Sequence, residues 1–147
     1  MALTYACIAP HGGELIQQLA PQPMVARFAK TREALRQIAA SVAANRPDSI
    51  IIASPHNLRL LGRIGVILSE NSSGRLQGPG NRSVSLKAKC NVDFANELLE
   101  RAVDRGLPVV GANYGTSEGP ASDMPMDWGT LVPFGFSSKR CASKQGL

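Results

Sequence analysis

Residues 48–57 read DSIIIASPHN. Three consecutive isoleucines, Ile50 to Ile52, are closed by Pro55, and His56 follows at once. A continuous β-branched run of this kind suits a strand buried on both faces, as in a parallel sheet. The same grammar occurs once before: Leu3 to Ala9 (LTYACIA) is an apolar run, Pro10 closes it and His11 follows. Between the two runs, Phe28, Leu35, Ile38 and Val42 fall at near-helical spacing, with Arg27, Lys30, Arg36 and Gln37 on other faces. A helix over Val25 to Asn45 is expected, with Pro47 as its stop. Strand, helix, strand in this order is a βαβ start, for which a right-handed crossover is the strong default.

Further along, Leu61 to Leu68 and Leu107 to Ala112 read as additional strands, and Val84 to Ala88 as a short one. Asn91 to Arg105 reads as a helix with Phe94, Leu98, Leu99, Ala102 and Val103 on its apolar stripe. Asn91 suits its N-cap and Gly106 its C-terminal end. Glu70 to Arg82 and Asn113 to Met126 read as long loops. The expected fold class is α/β, a mainly parallel central sheet flanked by helices. One domain is expected over residues 1–136, followed by a disordered basic tail over 137–147.

The chain has 147 residues, 44% of them hydrophobic and 18% charged, a globular composition. No apolar run approaches the ~20 residues of a membrane helix, and the N-terminus has no basic region of a signal peptide. The net charge is +5, but Lys139, Arg140 and Lys144 of the tail supply three of the 16 basic residues. The body is nearly balanced, and it holds one Trp and two Tyr. Nucleic-acid binding is therefore disfavoured, since it asks for a basic face and stacking platforms. Cys7, Cys90 and Cys141 are widely spaced and odd in number, which fits a reducing cytoplasm.

His11 and His56 are the only histidines. If the first two strands are neighbours, both imidazoles leave the carboxyl edge of one sheet, where open α/β sheets place their ligands. Neutral imidazole suits Fe(II), Zn and Cu, and two His with one carboxylate make the facial triad of non-haem iron oxygenases. The plainer reading of a strand-end histidine is a loop residue with no ligand. Two in matched Pro-His settings argue against it.

The segments APHGG (Ala9 to Gly13), IIIASPHN (Ile50 to Asn57) and MDWGTLVP (Met126 to Pro133) resemble, in order, the motifs of the class III extradiol ring-cleavage dioxygenases, the LigB superfamily. The resemblance implies an α/β fold and a ferrous site with His11 and His56 as metal ligands, with Zn as the other candidate. It implies a glutamate ligand from the family's C-terminal half, and a catecholic substrate and O2 as reactants. Two departures stand out. In many family members the third motif is Asp-His-Gly, with the histidine as acid/base; here Trp128 holds that place, and indole exchanges no proton at neutral pH. That change leans toward the Memo-like relatives, which keep the fold without established ring cleavage. Second, no acidic residue follows Asp127. Relative to the family, the chain is expected to be the C-terminally truncated, N-terminal part of the domain, with its tail SSKRCASKQGL the truncated or out-of-frame end of a longer gene. An exposed sheet edge would then favour self-association.

Four local carboxylates are candidates for a third ligand. Glu14 better suits the dipole of a following helix. Glu118 and Asp123 read as solvated loop residues, and Asp127 as a turn residue bonding backbone. Arg59 and Arg63 could meet an aromatic acid's carboxylate and Tyr114 a substrate oxygen, although surface and loop roles are the simpler readings. The loop Ser72 to Ser83 is glycine-rich but matches no phosphate-binding fingerprint.

Overall fold

A computed structural model describes the backbone of residues 3–141 and the side chains of residues 3–136. The chain divides into two compact units. The first takes Met1–Pro55, Arg75–Val84 and Asp127–Leu147; the second takes His56–Gly74 and Ser85–Met126.

The first unit is mainly helical. A 3-10 turn, Gly13–Leu15, leads into α1 (Gln22–Arg27) and α2 (Ala29–Asn45), and α4 (Trp128–Cys141) packs against α2. Its core is Leu15, Ile16, Leu19, Ala20, Leu35, Ala39, Leu131 and Val132, all buried. The expected long helix is interrupted at Phe28, which separates α1 from α2. At the far end, Arg46 takes a left-handed conformation (φ 45°) and Pro47 follows, so the helix ends where its stop signal stands.

The second unit carries the α/β character. β1 (Ile64–Ile67) pairs in parallel with β4 (Val109–Ala112), in register Ile64 to Val109 and Ile67 to Ala112. Helix α3 (Val92–Asp104) packs on both strands. Asn91 caps α3 by accepting the Phe94 N–H at 3.1 Å, and Gly106, at φ +69°, releases the chain after it. Gly111 of β4 lies so close to Leu68 and Leu99 that a Cβ there would stand 2.6 Å from a Leu68 methyl. Parallel strands joined through a packed helix are therefore present, built from β1, α3 and β4.

A second sheet has the order β3-β2-β5, with β2 Asn71–Gln77, β3 Ser83–Lys89 and β5 Asp123–Pro125. β2 pairs with β5 in parallel. Both elements fall where loops were expected. β2 reads NSSGRLQ, and its polar side chains hold the pairing: Ser72 Oγ donates to the Met124 carbonyl at 3.0 Å, Ser73 Oγ to Asp123 Oδ2 at 3.0 Å and Asn71 Nδ2 to the Ser122 carbonyl at 3.2 Å. Such cross-strand polar bonds replace the apolar alternation that marks most strands.

The N-terminal strand expectations fail in the opposite sense. Neither Leu3–Ala9 nor Asp48–Ser54 is a strand. Leu3 (85%), Ile8 (98%) and Ile51 (62%) are largely exposed rather than buried on both faces. β-propensity expresses a fit to a pleated, paired surface, and neither segment has a ladder partner among the described residues. The backbone of α4 runs on to Cys141, past Phe136, and the rest of the expected tail, residues 142–147, lies outside the described residues.

Two measurements check these local accounts. Asn91→Ala removes the cap acceptor and is expected to lower the unfolding free energy by about 1 kcal/mol in urea denaturation; an unchanged midpoint contradicts the capping role. Cys90 is half-buried in the second unit, and burial, with the Asp123 carboxylate adding to it, raises its thiol above the ordinary range. The folded protein thus favours the protonated thiol. That contribution to stability is full below the unfolded thiol's pKa and is lost as pH rises through the folded one. At about pH 8, where ordinary thiols begin to react, iodoacetamide should modify the exposed Cys7 before Cys90, and Asp123→Asn should speed Cys90. Equal rates by peptide mass spectrometry contradict this.

Candidate functional site

His11 is half-buried in the first unit. Two residues on, the 3-10 turn begins, closed by the Leu15 N–H to the Gly12 carbonyl at 3.0 Å and the Ile16 N–H to the Gly13 carbonyl at 3.1 Å. Leu15 and Ile16 are buried at once, so the turn is anchored in the core and fixes the chain just after His11. Glu14 opens this turn and is exposed, the dipole position expected of it.

The second Pro-His motif lies where the chain passes from one unit to the other, with Pro55 in the first and His56 in the second. Within the first unit, Ser54 Oγ donates to Asp127 Oδ1 at 2.8 Å. Asp127 is the N-cap of α4: Oδ1 accepts the Thr130 N–H at 3.0 Å, Oδ2 accepts Thr130 Oγ at 3.2 Å, and its carbonyl accepts the Leu131 N–H at 2.8 Å. Within the second unit, Asn57 adopts φ +75° and its Nδ2 donates to the Pro125 carbonyl at 2.6 Å. The Met126 N–H reaches the Ser73 carbonyl at 2.7 Å, extending the β2–β5 pairing to the start of the MDWGT segment. The residues flanking His56, Ser54 and Asn57, are thus each bonded to the MDWGT segment or its approach. His56 itself is half-buried.

These bonds settle what the local carboxylates do. Asp127 is committed to Ser54 and to the α4 cap, as the turn reading expected. Asp123 is not a freely solvated loop residue: Oδ2 takes Ser73 and Lys87, the latter at 3.2 Å, while Oδ1 is buried with no partner among the described residues. Glu118 is exposed on its loop. Among the described residues, no group of three His, Cys, Asp or Glu side chains is placed to hold a metal ion.

The other candidates are placed as follows. Trp128 is the first residue of α4 and about half exposed. Arg59 and Arg63 are exposed beyond His56, and Tyr114 is exposed (55%), its backbone N–H held by the buried Ser69 hydroxyl at 3.0 Å. Sequence reasoning passed over Ser54, Asn57 and Thr130. Asp127 is a favoured N-cap residue type directly before Trp128, and it could have located the start of α4. No helix among the described residues is long and apolar enough to cross a membrane.

The chain is 25% identical over 113 residues to "Protein CA_C1420" of Clostridium acetobutylicum, an alignment spanning 77% of this chain and 24% of that protein. The chain thus matches about a quarter of that relative's length. Residues 5–143, which include both Pro-His motifs and the MDWGT segment, match the LigB family, described as the catalytic LigB subunit of aromatic ring-opening dioxygenase. The chain belongs to the LigB family of aromatic ring-opening dioxygenases.

Proposed function

We propose that this chain contributes to extradiol cleavage of a catecholic ring by O2, with His11 and His56 as the imidazole ligands of a ferrous ion. The observation that carries the reading is the family match over residues 5–143, which takes in both Pro-His motifs. Imidazole at both positions is the right donor type for Fe(II), or for Zn. The described residues do not amount to a complete ferrous site. They offer two histidines and no convergent third ligand, and the carboxylate of the third motif, Asp127, is engaged in capping α4. By the family resemblance the third ligand is a glutamate. Without it, two imidazoles hold a divalent ion weakly, because a facial triad needs its carboxylate.

What the chain's own residues do is positional. The 3-10 turn fixes the backbone after His11, and the bonds of Ser54 and Asn57 fix it on either side of His56. Such fixing holds a ligand near its productive direction. Trp128 has an indole where an acid/base histidine would serve, so it moves no proton. That substitution favours a second reading, a Memo-like metal-binding relative without ring cleavage. A cytoplasmic location belongs to the same proposal; Cys7 and Cys90 are free thiols.

The test loads the protein anaerobically with Fe(II) and adds protocatechuate and O2. Weak iron binding through His11 and His56 is expected from both readings; a yellow ring-fission product selects the first, and bound iron without product selects the second. His11→Ala and His56→Ala are each expected to weaken iron binding more than tenfold, since losing even an outer-shell partner of a ligand costs about that much. Iron binding unchanged in both variants overturns the ligand assignment.

A further inference from the structure

Helix α2 buries a charge that no acidic group neutralises. Arg32 is 3% exposed, and its guanidinium donates to the Glu14 carbonyl at 3.3 Å and to the Val25 carbonyl. Among the described residues it meets no carboxylate. Two backbone carbonyls engage part of a five-donor cation, and a buried charge without a counter-ion is unfavourable. Arg32 also lines a surface cavity of about 380 Å³ lying wholly within the first unit. Arg36, one turn further along α2, lines the same cavity, and so do Gln17 and Gln22. Val25 and Ala29 give it an apolar wall. The acid closest to this cluster in sequence, Glu33, pairs with Arg36 at 3.0 Å on the exposed side of the helix.

We infer that this cavity is a binding site for a small organic carboxylate, which sets its anionic end against Arg32 and Arg36 and its apolar body against Val25 and Ala29. The chemistry follows from the lining. A guanidinium matches a carboxylate geometrically and gains most where it is shielded from water. The carboxamides of Gln17 and Gln22 add neutral donors around an anion. The apolar wall distinguishes an organic acid from a bare inorganic ion. The volume falls within the range of small-ligand pockets. The site is independent of His11 and His56 and does not rest on the proposed ring cleavage.

The test titrates the full chain with benzoate, and with benzamide as its uncharged counterpart, following amide shifts by NMR. Benzoate is expected to bind and to shift the amides of residues 17–36, while benzamide leaves them unmoved. Arg36→Gln, at a partly exposed position, should weaken benzoate at least about tenfold, the scale of a lost charge-assisted bond. Ala29→Phe, at an exposed helical position, should block the cavity and abolish binding. Arg32→Gln should abolish it as well; should that variant fail to fold, the other two decide. Absence of benzoate binding, equal binding of benzamide, or benzoate binding untouched by both Arg36→Gln and Ala29→Phe overturns the proposal.

Discussion

The Asp127 carboxylate accepts the Ser54 hydroxyl, the Thr130 N–H and the Thr130 hydroxyl. Much of the first unit depends on that group. Helix α4 begins WGTLVPFGF, and Gly129, Pro133 and Gly135 together disfavour a helix by about 5 kcal/mol relative to alanine. Two things offset this. Leu131 and Val132 are fully buried, each contributing roughly 1.5–3 kcal/mol, and the Asp127 cap adds about 1 kcal/mol. The sum is close to balance, so the cap helps decide whether α4 exists, and α4 is the surface on which α2 packs. The same carboxylate ties down Ser54, two residues before His56. One acid in the third motif therefore serves both a helix and the approach to the second motif.

What the sequence made legible follows a physical line. Helices α2 and α3 carry their own signals: apolar periodicity, the Asn91 cap, Gly106 and Pro47. Strands β1 and β4 are β-branched enough to read directly, and β3 shows the alternation of Val84, Leu86 and Ala88 with polar residues. The misses have two causes. Leu3–Ala9 and Asp48–Ser54 have strong strand composition, but a strand also needs a partner, and composition does not supply one. β2 and β5 are the reverse case. Their polar residues read as loop, and the bonds from Asn71, Ser72 and Ser73 that make them strands join positions about fifty residues apart. Helix α4 is hidden for a related reason, since its glycines and proline mask an element held by capping and burial.

The candidate site was legible by residue type more than by geometry. Two histidines in matched Pro-His settings were visible at once, and the family match includes both. Their supporting groups were not visible, because Ser54 and Asn57 act through bonds to residues 73 and 68 positions away. The carboxylates turned out to have structural work. Asp127 caps, Asp123 bridges Ser73 and Lys87, and Glu14 opens a turn. Among the described residues no third ligand converges with others, and two of the acids, Asp127 and Asp123, are engaged in other bonds.

The central claim is that Ser54 and Asp127 act as a coupled pair, so that the third motif supports the approach to the second. A double-mutant cycle in urea denaturation, with Ser54→Ala, Asp127→Ala and the combination, measures this most directly. The account predicts non-additivity of about 1 kcal/mol or more, as expected of directly bonded partners. Effects that add within about 0.3 kcal/mol, the behaviour of independent sites, would contradict it.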